Sequence, residues 1–111
     1  MDKLTQYQQA ITEVLTEMAN ERKAARSFET ELVLDRERNH YLLINLGWQD
    51  LHRTYGNTGH IDIKDDKVWL QQDMTDARVA DRLLEKGIPK EDIVLAFHAP
   101  YKRPYTGFAV A

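Results

Sequence analysis

The chain has 111 residues, of which 42% are hydrophobic and 30% are charged, so it suits one folded domain with an ordinary core. It contains no cysteine, which excludes disulfides, thiolate metal sites and cysteine nucleophiles. The net charge of −3 argues against a domain that grips nucleic acid by bulk electrostatics, because such domains carry a basic excess that neutralises phosphates.

The hydropathy pattern shows no apolar run near the ~20 residues that a bilayer-spanning helix needs. The first residues, MDKLTQ, lack the basic region and apolar core of a signal peptide. We therefore expect a cytoplasmic protein.

Residues 3–25 carry the pattern of an amphipathic helix. Apolar side chains recur at spacings of three and four from Leu4 to Met18, and polar side chains occupy the opposite face. The stripe is lost in segment 21–27, which is expected to lead into a loop.

Two segments rich in branched and aromatic residues predict a pair of strands, 28–35 and 40–49. Their register follows from the pairing that brings apolar side chains together. A five-residue connection places Leu32 opposite Leu42, whereas a four-residue connection would place Glu31 opposite an apolar residue. The sequence therefore favours the five-residue connection.

The clearest turn signal is the aspartate pair at 65–66. A two-residue turn there places Ile63 opposite Val68 and puts the aliphatic side chains of both strands on one face. Aspartate tolerates the left-handed backbone of such a turn. A further strand through 53–55 precedes this hairpin, with 56–59 as a bulge or a turn.

A second helix is predicted from Thr75, a favourable N-cap, to about Lys86. Gly87 follows as a C-terminal stop, with Pro89 two residues beyond it. The apolar run 93–97 is either a strand or a buried helix, and the tail after it is expected to be extended or irregular.

These elements together predict an α+β fold in a single domain over residues 1–111. An antiparallel sheet of about four to five strands would pack against the N-terminal amphipathic helix and a second helix near 75–87.

His60 and Asp62 share one strand face, because side chains along a strand alternate between faces. An imidazole beside a carboxylate could share a metal or act as an acid–base pair, with His98 as a third conceivable ligand. The solvated face of a hairpin explains the pair more simply. The sequence therefore predicts no catalytic residue, no metal site and no cofactor.

The segment 98–105 combines tyrosines and cations with prolines. Tyr101, Lys102, Arg103 and Tyr105 could stack on and neutralise single-stranded nucleic acid, but so few charges favour another use. Tyrosine and arginine are also the residues favoured at protein interfaces. A protein-contact surface is the leading interpretation here, with ordinary packing and nucleic acid as the alternatives.

Trp69 falls on the face of the hairpin opposite its aliphatic side chains. Either a helix or the C-terminal tail covers that face, or the indole is exposed as a binding anchor. Trp48 is open to a similar weighing. The candidate partner surface therefore consists of Trp69, His60, Asp62 and His98 together with the tail residues named above.

Four stretches of sequence, taken in order, look like those of one known family. They are MDKLTQY (1–7), HYLL with GW (40–43, 47–48), HIDIK with VWLQ (60–64, 68–71), and IPKEDIVL with FHAP (88–95, 97–100). They resemble the XisI family, the small cyanobacterial "fdxN element excision controlling factor" proteins, over essentially the whole length. The one visible departure is the Asp-Asp turn, where Asp-Gly is expected.

The resemblance implies a non-enzymatic factor that controls the excision of a DNA element by a site-specific recombinase, a DNA rearrangement of heterocyst development. Such proteins are usually encoded beside XisH, an endonuclease-like protein. The resemblance therefore implies an XisH-like partner, with the recombinase as a second partner, indirect contact with DNA, and a homodimer as a further expectation. The family brings no catalytic residues to carry over.

Two other functions remain as alternatives. A DNA-binding accessory factor would use Lys102 and Arg103, and its binding would weaken steeply with salt. A metal-dependent hydrolase would use His60, Asp62 and His98, and Zn²⁺ or Mn²⁺ would raise its melting temperature.

Overall fold

The computed structural model describes residues 2–25 and 29–111. Its helices and strands are α1 (Lys3–Ala25), β1 (Glu29–Asp35), β2 (His40–Gln49), β3 (His52–Lys64), β4 (Lys67–Leu70), α2 (Val79–Glu85) and β5 (Ile93–Leu95). Short 3₁₀ helices cover Thr75–Ala77, Lys90–Asp92 and Pro100–Tyr105. This is the predicted α+β architecture.

The sheet has five strands in the order β1-β2-β3-β4-β5. Neighbouring strands are antiparallel, except that β5 runs parallel to β4 after the crossover through α2. Both helices contribute to one hydrophobic core on one face of the sheet. We call the other face the open face; the C-terminal 3₁₀ helix lies over its β4–β5 end. Neither of the two described α-helices is long and apolar enough to cross a membrane.

The apolar stripe predicted for α1 is confirmed. Ile11, Val14 and Leu15 are fully buried, and Met18 is nearly so. Burying side chains of this size stabilises the fold by about 1.5–3 kcal/mol each. Leu4 departs from the stripe and is exposed in the first turn of the helix. The loop and strand start predicted at 26–28 lie outside the described residues.

The register predicted for β1 and β2 is wrong. Asp35 lies opposite His40, so four residues and not five connect the strands. Leu32 consequently lies opposite Leu43 and not opposite Leu42.

The chemistry of the connection explains the four-residue loop. The Asp35 carboxylate accepts the backbone N–H groups of Glu37 and Arg38 at 3.1 and 2.9 Å, and Asn39 takes the left-handed backbone with φ 61°. The register also leaves Glu31 on the open face, where its carboxylate stays hydrated.

The predicted two-residue hairpin turn is confirmed. Asp65 and Asp66 both have positive φ, 54° and 62°, as a type I′ turn requires. Ile63 lies opposite Val68 on the covered face.

The stretch 56–59 is a bulge within one long strand, which was the first of its two predicted forms. Leu43 pairs with Gly59 and Ile44 with Asn57, so Thr58 has no partner in the ladder. The Thr58 hydroxyl instead donates to the Leu43 carbonyl at 3.3 Å.

The second helix is shorter than predicted, and Thr75 is not its N-cap. The Asp73 carboxylate accepts both the backbone N–H and the hydroxyl of Thr75, which holds it in a 3₁₀ turn. Arg78 then takes a left-handed backbone, φ 53°, and α2 begins after it. Gly87, φ 97°, ends the helix as predicted. The apolar run that follows contains a strand, β5.

Candidate partner-binding surfaces

Trp69 lies on the open face but is only 9% exposed. Its indole N–H donates to the Lys64 carbonyl at 3.0 Å, and the Lys64 ammonium lies 3.9 Å from the ring centroid. The Arg103 guanidinium lies 5.8 Å from the same ring. The C-terminal tail therefore covers Trp69, so the indole is a support for the tail and not an exposed anchor.

Arg103 holds the tail in place. Its guanidinium donates to the carbonyls of His98 at 3.0 Å, Ala96 at 3.3 Å and Val110 at 3.4 Å. The Arg103 side chain lies over Trp69 of β4, so it links the residues before and after the C-terminal 3₁₀ helix to the sheet. Lys102, by contrast, is exposed.

Tyr101 and Tyr105 project from this segment into solvent, with 72% and 89% of their surface exposed. Pro100 and Pro104 restrict the backbone of the 3₁₀ helix that carries them. The Lys102 ammonium lies 5.9 Å from the Tyr101 ring. The result is a pair of exposed aromatic rings on an anchored backbone, which we call the tyrosine segment (100–105).

His60 and Asp62 do meet, as their shared strand face predicts, and His40 joins them. Asp62 Oδ1 lies 3.0 Å from His60 Nε2 and 2.8 Å from His40 Nδ1. The Gln71 amide donates to Asp62 Oδ2 at 3.1 Å. Sequence reasoning missed His40 because its place opposite Asp62 depends on the β2–β3 register.

His98 lies apart from this cluster, in the loop after β5. Its ring lies 4.6 Å from the Phe97 ring, and it lines a cavity of about 270 Å³ with Thr75 and Arg78. The imidazole that joins His60 at Asp62 is therefore His40 and not His98. Within residues 2–25 and 29–111, no group of three or more His, Asp or Glu side chains could hold a metal ion.

The tip of the β2–β3 hairpin exposes apolar side chains that sequence reasoning left out, apart from Trp48. Trp48 is 63% exposed, Tyr55 69% and Leu51 93%. Arg53 lies over the Trp48 ring, 5.4 Å from its centroid. For Trp48 the available signal was β2 itself, which carries apolar residues on both faces.

Ion pairs join α1 and α2, which lie on the covered face of the sheet. Arg82 donates to both carboxylate oxygens of Glu21 at 2.9 Å, and Lys86 donates to Glu17 at 2.9 Å. The hydrogen bond from Arg82 lowers the pKa of Glu21, and the bond that Lys86 donates to the Glu17 carboxylate raises the pKa of Lys86. These charges hold α2 against α1.

Asp92 ties the start of α1 to the start of β5. It accepts a hydrogen bond from the Tyr7 hydroxyl and an ion pair from Lys3 at 3.0 Å. Burial and the bond to Asp92 raise the pKa of Tyr7. Burial acts to raise the pKa of Asp92 as well, but the bonds from Tyr7 and Lys3 outweigh it and leave that pKa lowered.

The fold defines a small α+β protein with a five-stranded, mainly antiparallel sheet, covered by helices on one face. The family model described as "XisI protein" matches residues 1–110. The chain therefore belongs to the XisI family, as the sequence resemblance predicted.

Two crystal structures of proteins from Anabaena variabilis ATCC 29413 share this fold. A XisI-like protein is 48% identical with a TM-score of 0.89, and the match covers 97% of this chain and 99% of that chain. The fdxN element excision controlling factor XisI is 33% identical with a TM-score of 0.86, and the match covers 99% of this chain and 100% of that chain. A comparison with curated proteins gives no match.

Proposed function

We propose that this protein is a non-enzymatic factor that controls the excision of a DNA element and acts in the cytoplasm by binding a partner protein. The name of the controlling factor to which it is similar supports the first part. The partner is an XisH-like protein, the endonuclease-like neighbour that the family resemblance suggests, with a recombinase as the second choice.

The observation that carries the proposal is the tyrosine segment. Tyr101 and Tyr105 are exposed, yet Arg103 and Trp69 hold the backbone beneath them. Tyrosine is enriched among residues that dominate binding energy. An anchored segment also loses less conformational entropy on binding than a mobile one, so its contacts translate more fully into affinity.

A direct role in gripping DNA has less support. The guanidinium of Arg103 donates to three backbone carbonyls. Lys102 is therefore the cation of the tyrosine segment that is available to contact a phosphate. The net charge of −3 opposes binding to a polyanion.

The direct experiment is co-expression with an XisH-like protein, followed by size-exclusion chromatography with light scattering. We expect one complex in low and moderate salt. The double variant Tyr101→Ser/Tyr105→Ser is expected to lose the complex. Tyr55→Ser changes a tyrosine on the hairpin that is 69% exposed, close to the 72% of Tyr101, and is expected to keep the complex.

Two separate peaks for the wild-type proteins would refute partner binding. A complex that survives the double tyrosine substitution would instead refute the tyrosine segment as the contact surface. A parallel mobility-shift experiment with duplex and single-stranded DNA at low salt tests the DNA alternative, which requires a shift that is weakened by Lys102→Ala.

A further inference from the structure

Strand β2 is apolar on both faces, although the helices cover only one. Tyr41 and Leu43 are fully buried on the covered face. Leu42, Ile44 and Leu46 occupy the open face and are half-buried. A strand with one solvated face normally alternates apolar and polar residues, whereas a near-continuous apolar run is typical of a strand covered on both faces. The open face of β2 therefore has the composition of a contact surface.

Pairing between β2 and β3 arranges this surface in five rows. From one end to the other, the rows are His40 with Asp62, Leu42 with His60, Ile44 with Asn57, Leu46 with Tyr55, and Trp48 with Arg53. An acidic group thus lies in the first row and a basic group in the last, with apolar β2 side chains between them.

We infer that the occupant of this face is a second copy of the same chain, related by a two-fold axis that runs across the strands at the Ile44 row. Most soluble oligomers are symmetric, and a two-fold interface must be complementary to itself. Two sheets that pack face to face keep their strands within about 30° of one another, so the central rows of the two copies lie nearly in line, and the long side chains of the outer rows reach across the sideways offset.

The two-fold axis exchanges the outer rows. Asp62 then faces the partner's Arg53, so the acidic end of each copy meets the basic end of the other. Asp62 Oδ2 accepts one hydrogen bond, from Gln71, and retains a lone pair for the incoming guanidinium. Trp48, 63% exposed in the free chain, faces the partner's His40.

The same axis matches the inner rows. Leu42 faces the partner's Leu46, and Ile44 faces its own copy, so apolar side chains meet apolar side chains along β2. His60 faces the partner's Tyr55, a residue that is 69% exposed in the free chain.

The glutamates of β1 oppose this arrangement, because Glu29 and Glu31 both lie on the open face beside the rows. The charge of Glu31 makes the arrangement testable. Glu31 lies in the Ile44 row on β1, so the axis brings it toward its own copy. Like charges in such positions are destabilising. The neutral variant Glu31→Gln is therefore expected to tighten the dimer.

The small size of the five-row surface indicates a weak dimer. Rows two residues apart are separated by about 6.8 Å, so the five rows extend about 27 Å, across strands spaced about 4.8 Å apart. This is smaller than the ~800 Å² per partner typical of stable complexes, so we expect a weak dimer that forms and dissociates rapidly.

The test is sedimentation equilibrium of the chain alone, from micromolar to submillimolar concentration. The wild type is expected to show a reversible monomer–dimer equilibrium. Arg53→Glu places two acidic groups together and is expected to weaken the dimer at least about tenfold. Lys90→Glu makes the same charge change on an exposed lysine outside the five rows and is expected to leave the dimer unchanged. Trp48→Ser is expected to weaken it as well.

A wild type that stays monomeric throughout would overturn the inference. So would a dimer that tolerates both Arg53→Glu and Trp48→Ser, with circular dichroism showing that the variants are folded. Since this interface does not involve the tyrosine segment, Tyr101→Ser/Tyr105→Ser should dimerise normally. Failure of the dimer and failure of the partner complex are therefore separate outcomes.

Discussion

Gly59 lies in the middle of β3, where helix α1 packs on the sheet. A Cβ atom at this position would lie 3.3 Å from the Cβ of Leu43, 3.2 Å from the sulfur of Met74 and 3.5 Å from a methyl group of Leu15. Cross-strand Cβ atoms are normally about 4.5–5.5 Å apart. Met74 can move aside because its side chain is flexible, but the Leu43 Cβ moves only with its strand.

The variant Gly59→Ala is therefore expected to strain the sheet. Overpacking costs about 1–3 kcal/mol, whereas replacing glycine reduces the entropy of the unfolded chain and contributes about 0.4–1 kcal/mol in the other direction. The free energy of unfolding should fall by about 1 kcal/mol. Gly56→Ala is the matched control on the same strand, because an added Cβ there meets nothing within 4 Å. That variant should gain about 0.4–1 kcal/mol.

Urea unfolding at one protein concentration, followed by circular dichroism, measures both changes. The result that refutes the packing argument is a Gly59→Ala protein at least as stable as Gly56→Ala.

Two further predictions concern the tail and the acid limit of stability. Arg103→Ala should speed amide hydrogen exchange over residues 98–106 by about tenfold or more, since hydrogen bonds to a charged group contribute about 1.5–3 kcal/mol. The control variant Lys102→Ala should leave that exchange unchanged. Equal protection in both variants would exclude the anchoring role of Arg103. Asp92 has a lowered pKa when folded, so its bonds contribute stability above the unfolded value of about 3.9 and are lost as pH falls below it. Asp92→Asn should therefore be less stable at neutral pH and lose less stability than the wild type between pH ~5 and ~2; parallel pH curves of unfolding free energy would contradict this.

Residues 35–39 show why the sequence alone did not predict the β1–β2 register. Apolar pairing cannot choose the β1–β2 register when β2 is apolar on both faces, because either register brings leucines together. The loop decided it, through the Asp35 carboxylate and the left-handed backbone of Asn39.

At the candidate surfaces too, the sequence indicated some features and the tertiary structure decided others. The tail's composition indicated a contact surface at Tyr101 and Tyr105, and both rings are exposed. The sequence offered Trp69 as either anchor or support, and only the path of the tail over β4 made it a support. The contact of His40 with Asp62 joins residues 22 positions apart along the chain, so it depended on the pairing of β2 with β3.

By itself, the sequence determined the features that depend on neighbouring residues: the apolar stripe of α1, the Asp65-Asp66 turn and the stop at Gly87. Spacings of a few residues and backbone preferences decide such features before any distant contact forms. Only the tertiary structure decided which face of β2 remains open and which side chain holds the tail. Both depend on elements that are far apart in the chain and meet only when the core is packed.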